Sequence, residues 1–548
     1  MPSLFRHLSI VLVFCCYQLN WAEEPLTSLQ KHIDTVLREN SPAVVSIWYG
    51  EPERHITGTC VSSTGLIITC GHLKREVGDE VEVRFTGRKP VAAKVIAKHK
   101  TLDVALIQTA GKESWPAVAL GGSKNLSLDD PLLALGFGNT SLFGSSAKPL
   151  ILYVRLGYRK EQRLWPKADE LKTTVYSKGG DSGGPLFDMT GGLVGICSNG
   201  ELDGSDTCYV AIDAVLREWG VFAKEVPLPA VTSKRRTPLP HVATVLQKAI
   251  GVIQPAVAEV QIDDRWVGIA THIGRGLFLT KASELRSPIT LILSDGTVAQ
   301  ARVAARDTAT DLALLQLVSL ELGDKLPEVR WAEEKAPTEG RLLAAVTPGA
   351  FSPPVGAVCV STQKVPAIPG ILPVRVKDPK DGKRGVMIDI IFAEMTTPWL
   401  RPPGFPLMVG DRITEIAGLP IPDSESFRKW TFGEGKEIGG HPRVAGEAIE
   451  VKWMRGDKEM KALVHLRLQQ TAASQRIRPY SYRYSGFAGV FACDFFVRPE
   501  HCGAPVVDAA GNVVGLVIAK APFIECLVLP TQEVRAATER MMKMVGKR

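Results

Sequence analysis

One pattern of residues occurs twice along this chain of 548 residues. Three segments of the first half return in the same order in the second half, and the first matching pair begins 211 residues apart. The matching pairs are 65–69 with 276–280, 103–107 with 311–315, and 183–188 with 503–508. A set of segments that recurs in order predicts two structural units of one fold, placed in tandem.

Length and composition indicate a folded, β-rich chain with several domains. The sequence is longer than a single hydrophobic core supports, and a length prior gives about three or four domains. Hydrophobic residues make up 45% of the chain and charged residues 22%, which is typical of a globular protein and excludes a disordered one. The 50 glycines and 37 prolines favour many turns between short strands.

Residues 180–185 (Gly-Asp-Ser-Gly-Gly-Pro) place a serine between small residues on a tight turn. Acyl-transfer enzymes use such a turn to present a hydroxyl beside two backbone N–H donors. Upstream, a β-rich run ends at His72, and Asp103 stands at the head of an apolar strand. Because a serine hydroxyl becomes a good nucleophile only when an imidazole takes its proton, the pattern predicts a nucleophile, Ser182, that depends on His72.

The motifs Thr-x-x-His, Asp-x-Ala-Leu and Gly-Asp-Ser-Gly-Gly-Pro together resemble the chymotrypsin-like serine proteases, most closely their HtrA (DegP-type) branch, over roughly residues 26–220. The resemblance implies a mainly β fold made of chymotrypsin-like double β-barrel units. It also implies that His72 is the general base, that Asp103 orients its ring, and that the N–H groups of Gly180 and Ser182 bind the oxyanion.

The same resemblance assigns a substrate pocket and raises a question about Asp181. The pocket would be uncharged and lined by Tyr176, Ser198, Asn199 and Gly200, with Ser198 bonded to the triad aspartate from behind. Many HtrA-like members carry asparagine where Asp181 stands, whereas in trypsin-like zymogens an aspartate there pairs with a newly cut N-terminus. No activation site is recognisable before the first barrel, so we expect no zymogen cleavage.

The second unit lacks a complete triad when the motif is carried over residue by residue. Ser283 stands at the histidine position, Asp311 keeps the aspartate, and Cys502 replaces the nucleophile. Glu500 replaces the oxyanion glycine, and its carboxylate would oppose a negative charge there. We expect a pseudoprotease. The alternatives for Cys502 are a nucleophile activated by His501, a disulfide to Cys493 or Cys526, and an inert thiol.

An insertion lengthens the second unit. Its aspartate and cysteine lie 191 residues apart, against 79 between the aspartate and serine of the first unit. Residues 409–418, with the pattern Gly-Asp-x-Ile-x-x-Ile-x-Gly, resemble a PDZ domain. The resemblance implies capture of peptide C-termini by the loop at Gly385, Val386 and Met387, beside a helix that begins near Ser424. The alternative is an insertion that only braces the second barrel.

The N-terminal residues resemble a secretory signal peptide, with Arg6 before an apolar run and Ala22 as a small residue at the cleavage point. An uncleaved anchor is the alternative, and no other stretch is apolar enough to span a membrane. The expected boundaries are a signal peptide at 1–22, an active protease domain at 24–224, a linker at 225–240, a degenerate second trypsin-like domain at 241–364 and 471–548, and a PDZ-like domain at 365–470. We therefore expect a periplasmic or secreted protein.

Export makes the cysteines informative. Eight of the ten lie after the signal, an even number compatible with disulfides, and Cys60 with Cys70 or Cys197 with Cys208 could link neighbouring strands. Free buried thiols are the equal alternative. No close Cys-x-x-Cys pair exists, so we expect neither a zinc site nor any other cofactor.

The predicted function is an exported serine endopeptidase that acts on unfolded or exposed polypeptides, with the second unit and the PDZ-like domain recruiting substrate or regulating it. The alternative is an envelope scaffold that binds polypeptide C-termini without cleaving them. The net charge of +7 is spread along the chain and no basic run exceeds residues 234–236, so we expect no nucleic-acid partner. HtrA relatives often assemble as trimers, and the resemblance therefore allows a homo-oligomer.

Overall fold

A computed structural model gives the architecture of the chain. It describes residues 28–546 except 52, 100, 112, 125, 139–151, 161–168, 201–205, 233, 235, 237, 334–335, 350–352, 393–404, 433–436, 439–440, 469–479 and 522–525. The expected signal peptide at 1–22 lies outside these residues. Within the described part, no helix is long and apolar enough to cross a membrane.

The first unit begins with helix α1 (28–40) and a closed six-stranded barrel in the order β1-β2-β3-β6-β5-β4. Its strands are β1 (Val44–Tyr49), β2 (Arg54–Cys60), β3 (Leu66–Thr69), β4 (Glu80–Phe85), β5 (Val91–Lys98) and β6 (Ala105–Thr109). Alternate side chains such as Val81, Val83 and Phe85 point inward and are buried, because successive residues of a strand face opposite sides of the sheet. Closure leaves the barrel without free sheet edges.

A second six-stranded sheet completes the first unit, in the order β8-β7-β10-β11-β12-β9. Its strands are β7 (Pro131–Gly136), β8 (Tyr153–Tyr158), β9 (Glu170–Thr173), β10 (Pro185–Asp188), β11 (Leu193–Gly200) and β12 (Thr207–Ala211), followed by helix α2 (Ile212–Phe222). Arg159 and Thr173 form an isolated bridge between the two end strands, β8 and β9, so this sheet also curls towards closure. The first unit is therefore a double β-barrel.

The second unit repeats this plan. Helix α3 (Val242–Ile253) leads into another closed barrel, whose order β13-β14-β15-β18-β17-β16 is the order of the first barrel. The strands are β13 (Val257–Ile262), β14 (Arg265–His272), β15 (Leu277–Lys281), β16 (Ile289–Leu293), β17 (Val298–Asp307) and β18 (Leu312–Leu317), followed by helix α4 (Leu320–Gly323), β19 (Leu342–Ala345) and β20 (Val355–Val365). The predicted duplication is confirmed at the level of topology.

The insertion follows β20 and has its own core. Its main sheet runs β22-β23-β24-β28-β29 and packs around Phe427, Trp430 and Trp453, which are buried together. The elements are β21 (Gly370–Ile371), β22 (Val374–Lys377), β23 (Val386–Ile391), β24 (Arg412–Ile416), β25 (Leu419–Pro420), α5 (Ser424–Phe432), β26 (Glu437–Ile438), β27 (His441–Pro442), β28 (Ala448–Arg455), β29 (Lys458–His465) and β30 (Arg467–Leu468). The insertion is thus a small α+β body within the second unit.

After the insertion the chain completes a fourth barrel, in the order β19-β20-β31-β34-β33-β32. The added strands are β31 (Phe487–Cys493), β32 (Pro505–Val507), β33 (Val513–Lys520) and β34 (Cys526–Pro530), and helix α6 (Thr531–Val545) follows them. The expected fold class, mainly β with two tandem chymotrypsin-like double-barrel units, is confirmed.

The eight cysteines after the signal are all free thiols. The alternative of a Cys197–Cys208 bridge is wrong because Cys197 faces Tyr209 across the β11–β12 ladder, whereas Cys208 faces Asn199. Cys60 is likewise unbridged, and its thiol donates to the carbonyl of Ser62 at 3.2 Å. Packing, rather than cross-linking, therefore holds these strands together.

Candidate active site

Strands β3 and β6 bring a histidine and an aspartate together. Thr69 pairs with Ala105 in the antiparallel ladder, so the residues just beyond that pair lie at the same end of the barrel. His72 Nδ1 lies 2.9 Å from Asp103 Oδ2 and 3.1 Å from Oδ1, and the His72 backbone N–H donates to Oδ1 at 2.7 Å. The imidazole is therefore held in one orientation, with Nε2 turned away from the carboxylate.

Ser198 of β11 supports this pair from the second barrel. Its hydroxyl donates to Asp103 Oδ2 at 2.6 Å. Burial raises the pKa of Asp103, but the hydrogen bonds from His72 and Ser198 outweigh it and leave the pKa below its ordinary value. The hydrogen bond from Nδ1 to Asp103 in turn raises the pKa of His72. The arrangement therefore stabilises an imidazolium, as a general base that accepts a proton requires.

The serine lies on a turn that only glycines allow. Gly180 has φ +98° and Gly183 has φ +82°, both in the left-handed region. A Cβ on Gly183 would lie 2.1 Å from Thr69 Oγ1 and 2.9 Å from the backbone nitrogen of Cys70. This close approach places Ser182 beside the segment that leads into His72.

Thr57 of β2 fixes the same turn from the first barrel. Its hydroxyl donates to the Gly180 carbonyl at 2.7 Å, and its N–H donates to the Ser182 carbonyl at 2.9 Å. In the part of the chain that the structure describes, the N–H groups of Gly180 and Ser182 have no hydrogen-bond acceptor. Two backbone donors next to the serine are therefore available for an anionic oxygen.

A buried ion pair that the sequence did not reveal stands behind the serine. Asp181 is 3% exposed, and its Oδ2 accepts hydrogen bonds from Arg155 Nη1 at 2.8 Å and from the Lys178 backbone N–H at 2.7 Å. Arg155 lies on β8 and is 5% exposed. The Arg155 guanidinium thus pairs with Asp181 at the position where a newly cut N-terminus pairs with an aspartate in trypsin-like zymogens. The expectation that no zymogen cleavage is needed stays a prediction.

The expected pocket residues lie beside this turn. Ser198, Asn199 and Gly200 form the last, increasingly exposed residues of β11, and Tyr176 is half-buried before the turn. A Cβ on Gly200 would lie 2.6 Å from Ser177 Oγ, so β11 closely approaches the segment that follows Tyr176. The structure therefore brings these residues to one wall next to Ser182.

Cys70, which the sequence analysis considered only as a disulfide partner of Cys60, contacts the histidine. Cys70 is fully buried, and its Sγ lies 3.5 Å from His72 Nε2. Nε2 is the nitrogen that must accept the serine proton, so this weak donor competes with the serine for it. The spacing Cys-x-His in the sequence is the only signal that could have indicated the contact.

In the second unit, a buried salt bridge occupies the position that corresponds to the His72–Asp103 pair of the first unit. Lys281 is 1% exposed, and its Nζ lies 2.6 Å from Asp311 Oδ2, which also accepts from the Ser283 hydroxyl at 2.9 Å. Lys281 occupies the repeat position of Cys70, so its long side chain fills the space behind the histidine position. Asp311 is therefore engaged in a buried ion pair in the core of the second unit.

Cys502 is buried against the hydroxyl of Ser481, with Sγ and Oγ 3.3 Å apart. Burial raises the pKa of Cys502 to about 11, so the thiol stays protonated at neutral pH. The ring of His501 instead packs against Trp266, with ring centroids 5.5 Å apart. Of the three alternatives for Cys502, the inert thiol fits this environment.

The predicted peptide-binding residues of the insertion are in the wrong place. Val386 and Met387 begin β23, which pairs with β22 on one side and with β24 on the other. The Gly385 N–H already donates to the Pro422 carbonyl at 2.9 Å. An added peptide strand needs a free edge and free donors, so it cannot bind at these three residues.

The described residues contain no group of three or more His, Cys, Asp or Glu side chains that could hold a metal ion.

Comparisons with known proteins find relatives of the first unit. Residues 56–196 match the family described as a trypsin-like peptidase domain. A probable periplasmic serine endoprotease, DegP-like, from Pseudomonas putida (strain W619) is 34% identical over 144 residues, which cover 26% of this chain and 28% of that protein. A protein of the same description from Chlamydia trachomatis serovar D is 26% identical over 140 residues, which cover 26% of this chain and 27% of the relative.

The chain thus spans little more than a quarter of the length of the curated relatives it matches. The match covers most of the first double barrel and includes His72, Asp103 and Ser182, all of which lie within residues 56–196. The first unit of this chain is therefore a trypsin-like peptidase domain, related to the DegP-like serine endoproteases of the HtrA branch.

Proposed function

We propose that the protein is an exported serine endopeptidase that hydrolyses peptide bonds in unfolded or exposed polypeptides. The observation that carries the proposal is the hydrogen-bonded set of His72, Asp103 and Ser198 beside the glycine turn of Ser182. The names of the matched relatives, periplasmic serine endoproteases, and the signal-like N-terminus support export to the periplasm or beyond.

In the proposed reaction the Ser182 Oγ attacks the peptide carbonyl carbon while His72 Nε2 takes the hydroxyl proton. The carbonyl oxygen becomes an oxyanion, which the N–H groups of Gly180 and Ser182 stabilise. The imidazolium gives its proton to the leaving amine, and an acyl-enzyme remains. Water then attacks the acyl carbon by the same route and releases the new carboxylate. Asp103 keeps the ring oriented and stabilises its charged form throughout.

The test of this proposal is cleavage of fluorescein-labelled casein by the purified full-length protein. We expect cleavage that is lost in Ser182→Ala. Binding of casein that persists in Ser182→Ala while the wild-type protein cleaves nothing would instead favour the scaffold that binds polypeptide termini.

The pH dependence of this reaction tests the role of His72. A base must be neutral to accept a proton, so kcat/KM is expected to rise with pH as His72 loses its proton. Because the Asp103 carboxylate raises the pKa of His72 above its ordinary value of 6.5, the midpoint of the rise should lie above that of a free imidazole. Removing the charge with Asp103→Asn should move the midpoint to lower pH and also slow the reaction. A wild-type midpoint at or below that of free imidazole would contradict this role.

The insertion is proposed to bind polypeptide C-termini at β22 and not at β23. Within the described residues, β22 is an end strand of the sheet, so its outer edge has no neighbouring strand. Helix α5 begins beside β22, because the Ser424 N–H and hydroxyl both donate to the Asp378 carboxylate at 2.7 Å. A free edge next to a helix is what strand addition of a peptide requires.

We therefore expect Val376→Lys to weaken capture of C-terminal peptides by about tenfold or more. Val376 is partly buried against the core of the insertion, so the lysine distorts the edge that would receive the added strand, and the melting temperature must show that the variant is folded. The matched control is Lys383→Ala, which alters the loop before β23 and should leave affinity unchanged. Fluorescence polarisation with a C-terminal peptide library measures both. If Lys383→Ala loses peptide binding while Val376→Lys retains it, the peptide would bind at the loop of Gly385 and not at β22.

A further inference from the structure

Strand β8 joins the two units. It is an end strand of the second sheet of the first unit, and it packs against β20 of the second unit. Tyr153 at its start is 2% exposed and belongs to the same buried cluster as Cys359 and Val360 of β20. The first unit therefore inserts an aromatic side chain into the core of the second.

The same strand holds the turn before the nucleophile. Arg155 donates to Asp181, the residue that precedes Ser182, and Asp181 in turn accepts the N–H of Lys178. The Arg155 guanidinium carbon and the Lys178 Nζ lie 5.1 Å and 4.5 Å from the centroid of the Tyr153 ring. Both ends of the 178–181 turn thus rest on side chains of β8.

A carboxylate of the second unit fixes β8 in place. Asp494, which follows β31, accepts the Leu156 N–H at 2.5 Å through Oδ2 and the Ala357 N–H at 2.7 Å through Oδ1. Leu156 is the residue after Arg155, and Ala357 lies on β20. One side chain therefore bridges the backbones of both units next to the arginine that holds the catalytic turn.

We propose that Asp494 is a positioning residue for the protease, through which the inactive second unit sets the geometry of the oxyanion donors in the first. The inference rests on the proposed serine protease function. Its path runs from Asp494 to the backbone of β8, from Arg155 to Asp181, and from Asp181 to Ser182. Displacing reacting groups by about 1 Å costs roughly a hundredfold in rate, so a small shift of β8 is enough to matter. The second unit is then part of the active protease.

The test uses full-length Asp494→Ala and Asp494→Asn, with Asp508→Ala as the matched control. Asp508 is also a partly buried aspartate of the second unit, but its carboxylate accepts the N–H groups of Ala510 and Asn512 within that unit. Fluorophosphonate labelling of Ser182 and casein cleavage are the readouts. We expect Asp494→Ala to lower kcat and the labelling rate by about tenfold or more, with KM within about twofold. Asp494→Asn keeps one acceptor oxygen and should retain more activity than Asp494→Ala.

Wild-type rates in a folded Asp494→Ala protein would overturn the inference, as would an equal loss in Asp508→Ala. If Asp494→Ala does not fold, Asp494→Asn decides in the same way, with its melting temperature measured alongside. A wild-type protein that is neither labelled nor active would overturn the proposed protease function itself, and this outcome is distinct from a labelled wild type with unaffected variants.

Discussion

His72→Ala in the full-length protein is expected to lower kcat/KM for casein by about 10⁴-fold or more. The substitution removes the base that takes the Ser182 proton, and Asp103 lies on the far side of the imidazole and cannot replace it. The oxyanion donors remain, so a residual rate above that of water should persist. Initial cleavage rates at several substrate concentrations give the result.

His32→Ala provides the control for this substitution. His32 lies on α1 in the same unit, and its Nδ1 contacts the Ser28 carbonyl of its own helix at 2.8 Å. The variant should cleave casein at the wild-type rate. Equal losses in both variants would mean that the protein is generally destabilised, and an unaffected His72→Ala would remove the histidine from the mechanism.

Lys281→Met is expected to destabilise the second unit by about 3–5 kcal/mol, because it leaves the Asp311 carboxylate buried without its cation. The ammonium also donates to the carbonyls of Arg483 and Ile518, at 2.9 Å and 2.8 Å, which would lose their partner. Urea unfolding followed by intrinsic fluorescence measures the change in the free energy of unfolding.

A second substitution separates charge from packing. Asp311 has φ +60°, a conformation that asparagine tolerates, so Asp311→Asn removes the charge without backbone strain. The double variant Lys281→Met with Asp311→Asn should recover a large part of the lost stability, since neither buried ion remains. No recovery in the double variant would show that packing, and not the unpaired charge, causes the loss.

The fold was predictable where local pattern carries it. The duplicated segments correspond to β3 and β15, to β6 and β18, and to β10 and β32, because each is a short apolar run fixed by a turn residue at its end. The recurrence of these runs predicted the tandem units, whereas the double-barrel fold and the approach of His72 to Asp103 came from the resemblance to chymotrypsin-like proteases. The order of strands within the insertion did not follow, since pairing between distant segments leaves no local signal.

The supporting residues of the site were missed for a related reason. Arg155 and Lys281 each stand in an apolar strand, where a charged residue signals either an exposed face or a buried partner. Only the assembled barrels bring Asp181 and Asp311 to them. The loop that contains Gly385, before β23, led to a wrong prediction. Its composition suits a loop that binds carboxylates, but the Gly385 N–H already donates to Pro422 and β23 is already paired with its neighbouring strands.

Fluorophosphonate labelling of the purified mature protein, read by peptide mass spectrometry, tests the central claim most directly. We expect a single adduct on Ser182 that disappears in Ser182→Ala, with none on Ser283 of the second unit, whose hydroxyl is buried and donates to Asp311. A folded wild-type protein without an adduct on Ser182, or an adduct elsewhere that persists in Ser182→Ala, would contradict a competent triad in the first unit.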